Sequence, residues 1–218
     1  MSIKILLVGG GGHCRSVLDT LLEQNTYNEI AIADDNIEPQ TMVMGVPVIG
    51  SCDDLHRYFL SGFEQAFIAI GSIGNPQLRI KIFDRLEKIG FEIPNIFDKT
   101  SVVSKYALLG KGIFAGKNSV INAGAAVGDC AIINTGVVVE HDCRVGSFAH
   151  ISSASVLCGH VRIGERTHIG ANSVIRQGLA IGPDSIIGMG SVVSASIPDG
   201  VTAFGSPARI IEKQRVKG

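Results

Sequence analysis

Val127-Gly128-Asp129-Cys130-Ala131-Ile132-Ile133-Asn134-Thr135-Gly136-Val137-Val138-Val139-Glu140-His141-Asp142-Cys143-Arg144-Val145-Gly146 repeats one pattern with a six-residue beat. An aliphatic residue opens each hexad, and a small or apolar residue follows four positions later: Val127 with Ala131, Ile133 with Val137, Val139 with Cys143. The beat runs unbroken in both directions, from Val103 to Val193, and glycine often follows the aliphatic, as at Gly146, Gly164 and Gly182. Neither a helix nor a plain strand has this period. It is the hexapeptide signature of a left-handed parallel β-helix, in which three hexads close one triangular coil. About five coils are expected, stacked at roughly 4.8 Å. The lumen of such a solenoid is packed solid, so ligands must sit outside it, usually between neighbouring chains.

Upstream of the repeat the pattern changes. Ile3–Val8 is an apolar run closed by Gly9-Gly10-Gly11-Gly12, which predicts a buried parallel strand. Val17, Leu18, Leu21 and Leu22 give a helical face, Ile30–Ala33 a second strand, and Asp53 or Asp54 a cap for a short helix through Leu60. Phe67–Ile70 reads as a third strand. Gln77 to Ile89 reads as a helix with Leu78, Ile82, Leu86 and Ile89 on one side, stopped by Gly90. The order β-α-β-α-β-α is that of half a doubly wound sheet. The expected division is an α/β half-Rossmann nucleotide-binding domain over 1–97 and the β-helix with its tail over 98–218, the last stretch helical from Ala208.

Composition narrows the function. A formal charge of −1 argues against a nucleic-acid surface, which needs a basic stripe. Charged residues are only 18% of the chain, below the usual quarter, which suggests that other subunits cover much of the surface. Five cysteines without a C-x-x-C pair read as reduced thiols of a cytoplasmic protein. The start MSIKILLVGG is too short in its apolar part for a signal peptide, and no stretch approaches a membrane span.

Two constellations carry chemistry. The loop Gly9–His13 follows a strand and opens a helix, so backbone N–H groups and a helix N-terminus face any anion placed there. It is no dinucleotide fingerprint, because the third glycine of G-x-G-x-x-G falls on Cys14. It is either a tight strand–helix turn or a mononucleotide pocket. Asp34-Asp35 at the next strand end either accepts hydrogen bonds from a ribose or base or forms a solvated turn. In the repeat, Glu140-His141-Asp142 interrupts otherwise neutral corners. His141 points away from the lumen beside a carboxylate, the pairing of a general base near neutral pH. Gly159 lies 18 residues on, one coil above, with an N–H that no side chain shields. His150 sits on a neighbouring face; His160 and His168 are weaker candidates. Cys143 occupies an inward small position and reads as packing. The histidine pair five apart that hexapeptide-repeat carbonic anhydrases use for zinc is absent, and no metal is expected.

At these residues the chain resembles the hexapeptide-repeat sugar acetyltransferases of the sialic-acid O-acetyltransferase and bacillosamine N-acetyltransferase kind. Gly9–His13, Asp34-Asp35 and Ala69-Ile70-Gly71 with Arg79 match the N-terminal half of that family. Val139-Glu140-His141-Asp142-Cys143 and Phe148-Ala149-His150-Ile151-Ser152 match its catalytic stretch, and Gly205-Ser206-Pro207-Ala208-Arg209 its closing segment. The resemblance implies His141 as general base, Asp142 (where many members have Glu) raising its basicity, and the Gly159 N–H holding the oxyanion. It implies His150, Ala171 and Met189 as contacts of acetyl-CoA, the co-substrate. Gly11, Gly12, His13, Asp34, Asp35 and Gly71 would line a nucleotide-sugar pocket. The expected protein is a homotrimeric acetyl-CoA-dependent N-acetyltransferase that acts on a nucleotide-linked amino sugar by direct attack. It would bind no nucleic acid and insert into no membrane. O-acetylation of a sialic acid and a non-catalytic nucleotide-sugar sensor are the alternatives.

Overall fold

The computed structural model describes residues 3–213, which divide into two compact units. One comprises the residues up to 71 together with 77–96; the other comprises 72–76 together with the residues from 97 on.

The first unit is a sheet with helices. In chain order it contains β1 (Lys4–Val8), α1 (Gly12–Gln24), β2 (Glu29–Ala33), β3 (Met42–Val43), β4 (Val46–Gly50), α2 (Leu55–Leu60), β5 (Gln65–Ile68) and α3 (Gln77–Ile89). The strand order is β3-β4-β2-β1-β5, parallel except for the β3–β4 hairpin. β1 is an inner strand, so Ile5 to Val8 are all buried, which is why that run is continuously apolar. Three expectations change. The hairpin was not anticipated, because Gly45, Pro47 and Gly50 punctuate its short runs. Asp54 takes the cap position of α2 but its side chain makes no capping bond; the side-chain cap is Ser51, which accepts the Asp53 N–H at 3.0 Å and starts a short 3-10 turn over Cys52–Asp54. In α3 the inward stripe is Arg79, Ile82, Phe83 and Leu86, at i, i+3, i+4 and i+7, while Leu78 is exposed.

The second unit is a triangular solenoid. Two-residue strands recur every six residues, and each pairs in parallel with the strand 18 residues on: Val120↔Val138, Arg144↔Arg162, His150↔His168. The three faces are named here by their outward residues. A valine face carries Val102, Val120, Val138, Val156, Val174 and Val192; an arginine face carries Leu108, Ala126, Arg144, Arg162 and Ala180; a histidine face carries Phe114, Ile132, His150, His168 and Ile186. The aliphatic series points inward and is buried from Ala115 to Val193. Serine and threonine share the lumen because their hydroxyls find carbonyls. Ser155, Thr167 and Ser173 donate to Gly170, Gly182 and Gly188 at 2.9, 2.7 and 3.1 Å.

The corners follow one rule. Every sixth residue from Gly112 to Gly190 has positive φ, whether glycine or not; Asp142 (58°), His160 (61°) and Arg166 (60°) are among them. From Gly124 on, the N–H of each reaches a carbonyl one coil below, as Asp142 does to Ala123 at 3.1 Å and His160 to His141 at 3.0 Å. At Gly146 a Cβ would fall 2.5 Å from the Glu165 amide of the next coil, so that position takes glycine. The C-terminal expectation is corrected. Val201–Gly205 and Ala208–Lys213 pair antiparallel, so the stretch from Ala208 is a strand; the residues after 213 lie outside those described. Among the described residues no helix is long and apolar enough to cross a membrane.

Candidate functional site

In the first unit the glycine loop links β1 to α1. The Gly10 N–H donates to Asp34 Oδ2 at 2.7 Å, and the Asn36 N–H donates to Asp34 Oδ1 at 2.8 Å. Asp35 Oδ1 accepts from Ser51 Oγ at 2.6 Å and from the Cys52 N–H at 2.7 Å, and these bonds hold its carboxyl below the usual range. Both carboxylates of the acidic pair are therefore tied into local structure, Asp34 to the glycine loop itself. They line a cleft of about 200 Å³ with Asn36, Ile37, Gly50 and Ser51. The N-terminus of α1 has no side-chain cap and no acidic residue in its first turn. A Cβ at Gly11 or Gly12 would meet nothing within 4 Å, so the space before that helix end is open to an anion. Gly71 lies against His13, with a Cβ-to-Cβ distance of 3.5 Å were it alanine. Gly11, Gly12, His13 and Gly71 thus come together.

In the second unit His141 and Asp142 form the corner between the valine and arginine faces. His141 Nδ1 lies 2.9 Å from Asp142 Oδ2. That hydrogen bond, first among its causes, holds the Asp142 carboxyl below the usual range. An ionised carboxylate only accepts, so Nδ1 carries the proton and Nε2 presents its lone pair. Nε2 faces Gly159, where a Cβ would be 2.6 Å away. The Gly159 N–H donates to no protein atom in the described structure, while its carbonyl accepts from Gly178. An imidazole lone pair and a free N–H donor therefore meet over one glycine, in a recess of about 360 Å³ shared with His160, Gln177 and Gly178.

One residue that sequence reasoning passed over, Asn122, supports this corner. Asn122, one coil below, donates to Glu140 Oε2 at 3.0 Å, and the same oxygen accepts the His141 N–H at 3.3 Å. The 18-residue spacing of Asn122 and Glu140 was the available signal. His160 Nε2 stands 3.7 Å from Asp142 Oδ2, and His141, Asp142 and His160 offer one donor atom each within 4.8 Å of one another. Cys143 is buried and donates to the Cys158 carbonyl at 3.1 Å; burial pushes its thiol up to about 11, so it packs rather than reacts.

The acetyl-CoA candidates lie elsewhere on the solenoid. His150 is on the histidine face, where its Nδ1 lies 2.8 Å from the Ser72 carbonyl, which makes that nitrogen the donor. His168, one coil above and 7% exposed, meets it edge to face at 5.0 Å. Burial lowers the His168 pKa to about 4. Ala171 and Met189 stack at the corner between the histidine and valine faces, with the Gly190 N–H on the Ala171 carbonyl at 2.8 Å. Met189 is 82% exposed. Within one chain these residues do not join His141.

The chain matches the PglD N-terminal domain over residues 4–86, the bacterial transferase hexapeptide (six repeats) over 142–177, and the hexapeptide repeat of succinyl-transferase over 160–195. Perosamine N-acetyltransferase from Caulobacter crescentus, solved as a histidine-to-asparagine variant with CoA and GDP-perosamine, is 38% identical. The match covers 96% of this chain and 97% of that one, with a TM-score of 0.90. The acetyltransferase domain of PglB from Neisseria gonorrhoeae, in complex with acetyl coenzyme A, is 33% identical over 97% and 100% of the two chains, TM-score 0.90. WeeI from Acinetobacter baumannii is 27% identical over 96% and 100%, TM-score 0.85. An uncharacterised protein of Acanthamoeba polyphaga mimivirus is 32% identical over 119 residues; the match covers 55% of this chain and only 22% of that curated relative. With such identity over nearly the full length of solved members, and with both halves matching their family models, the chain belongs to the hexapeptide-repeat sugar acetyltransferases that carry a PglD-type N-terminal domain.

Proposed function

We propose that the protein transfers the acetyl group of acetyl-CoA to the amine of a nucleotide-linked amino sugar, by direct attack with His141 as general base. The observation that carries this reading is the His141 ring, held by Asp142 at 2.9 Å with Nε2 against the free N–H of Gly159. The amine nitrogen attacks the thioester carbonyl, and its proton passes to His141 Nε2. The Gly159 N–H stabilises the oxyanion. Collapse breaks the carbon–sulfur bond, the imidazolium returns its proton to the leaving thiolate, and an acetamide and CoA result. The open end of α1 receives the nucleotide phosphate, with His13 and Gly71 beside it and Asp34 and Asp35 lining the adjoining cleft. His150, Ala171 and Met189 contact acetyl-CoA. The bound CoA and GDP-perosamine of the Caulobacter enzyme support this pairing of substrates.

The reading includes a homotrimer. His141 and the acetyl-CoA candidates occupy different sides of the solenoid, so a single thioester reaches both only where two copies abut. Six outward valines stacked at 18-residue spacing make an unusually apolar face for a free chain. The five free thiols fit a cytoplasmic location, where acetyl-CoA is available.

The test is release of free thiol from acetyl-CoA against a panel of nucleotide-linked amino sugars that includes GDP-perosamine. His141→Ala is expected to lower kcat by about 10² to 10⁴ without changing the sedimentation coefficient. Near-wild-type turnover of that variant would put the base elsewhere. Thiol release with hydroxyl acceptors alone would make the protein an O-acetyltransferase.

A further inference from the structure

The corner above His141 adds a third polar side chain that the transfer reaction does not use. Asp142 and His160 occupy the left-handed position of successive corners, and each backbone N–H is pinned to the coil below at 3.1 and 3.0 Å. Three side chains thus spring from a backbone fixed by the solenoid. His141 Nδ1 is 2.9 Å and His160 Nε2 3.7 Å from the same oxygen, Asp142 Oδ2. The two rings stand edge to face, centroids 5.1 Å apart at 88°. Among the described residues, the ion-pair partners of Asp142 are these two histidines.

Two imidazoles and a carboxylate suit zinc, cobalt and nickel rather than calcium or magnesium. Bonds of about 2.0–2.2 Å to such an ion place neighbouring ligand atoms about 3–3.5 Å apart. The His141–Asp142 pair, at 2.9 Å, lies just short of that separation and opens by a few tenths of an ångström to reach it. The exposed His160 ring closes the remaining gap by rotating, and the recess beside Gln177 and Gly178 leaves room for water to complete the shell.

We infer that His141, Asp142 and His160 form a reversible site for a divalent transition-metal ion of the zinc class, and that the bound ion switches the transferase off. The switch is a tautomer change. Without the ion, Nδ1–H of His141 donates to Asp142 and Nε2 is the acceptor. An ion on Nδ1 takes that lone pair, the single ring proton moves through water to Nε2, and Asp142 exchanges its hydrogen bond for a metal bond. Nε2 then carries a proton and accepts none from a sugar amine. Loss of turnover rests on His141 being the base; binding of the ion does not.

Binding and activity are therefore read separately, on protein without an affinity tag. Cobalt(II) titration should bring up d–d bands of a nitrogen–oxygen site, displaced by zinc, without the charge-transfer bands of a thiolate. Zinc should abolish formation of acetylated product, and EDTA should restore it. His160→Gly keeps a residue suited to positive φ, as Gly178 is one coil above. It should weaken cobalt binding and raise the inhibition constant, each relative to its own metal-free rate, at least about tenfold. No cobalt bands at micromolar protein, thiolate bands from Cys158, or equal cobalt affinity in His160→Gly would overturn the site. Bound ion with undiminished turnover would overturn the switch, and the His141→Ala rate would then say whether the base assignment fails with it.

Discussion

Gly159→Ala isolates the contact on which the proposed transfer depends. An alanine Cβ there would fall 2.6 Å from His141 Nε2, 2.7 Å from Cε1 and 3.3 Å from Cδ2. Ordinary contacts to carbon begin near 3.5 Å, so the imidazole must retreat by about 1 Å. Its Nδ1 is held at 2.9 Å from Asp142 Oδ2, so the retreat stretches or breaks the bond that sets the tautomer. The methyl group also shields the Gly159 N–H, the proposed oxyanion donor. A misplacement of about 1 Å can cost 10²-fold, and loss of one oxyanion donor costs about 10² to 10³. The expected fall in kcat is therefore about 10²-fold or more. Stability should barely change, because Gly159 lacks positive φ and the His141 side chain is half exposed and swings into solvent; about 0.5 kcal/mol is the ceiling for such a surface change. Thiol release gives kcat and denaturant unfolding gives the stability. The double variant Gly159→Ala, His141→Ala should be little slower than His141→Ala if the glycine acts chiefly through the ring. Turnover within a factor of two or so of wild type would refute the reasoning, and so would an equal rate loss accompanied by unfolding.

Gly11→Val and His13→Ala should raise the KM for the nucleotide sugar far more than that for acetyl-CoA, since both change the open end of α1; equal rises would make the loop merely structural. Val174→Arg, on the valine face at a position 39% exposed in the single chain, should leave the fold intact and yield monomers in sedimentation, with activity lost; an intact trimer would remove that face from the interface. His168 titrates at about 4 in the folded chain against an ordinary 6.5, because burial opposes its charged form. The unfolded chain binds that proton first, so the contribution is complete above pH 6.5 and is lost as pH falls toward about 4, by about 3 kcal/mol at most. Urea midpoints across that range should fall more steeply for wild type than for His168→Phe; parallel curves would show that other groups govern acid unfolding.

The solenoid was legible because its signal is periodic. An aliphatic residue every six positions sets the lumen, and a spacing of 18 predicts that His141 and Gly159 stack, as they do. α3 was legible in length but not in orientation. Counting only apolar residues selected Leu78, whereas the inward stripe includes Arg79, a long side chain that burial alone reveals. The β3–β4 hairpin escaped because Pro47 and two glycines look like loop when pairing is unknown. The strand from Ala208 was hidden by its arginine and lysine content. Least legible was the carbonyl of Ser72 on His150, a contact 78 residues apart in sequence that no local pattern encodes.

The corner rule bears on how such a site arises. The backbone at His141-Asp142 is repeated at Ala123-Gly124 one coil below and at Gly159-His160 one coil above, each tied to the coil beneath it by an N–H to carbonyl bond. Nothing in the main chain marks the proposed reactive corner; three side chains and one missing Cβ do. Placing histidine and aspartate at 123 and 124, with glycine at 141, would write the same catalytic group about 4.8 Å lower on an unchanged scaffold. In a solenoid the distance between a base and the rest of its binding site is thus adjustable in whole coils. A family built this way can fit acceptors of different length by relocating a dipeptide, without reshaping a pocket.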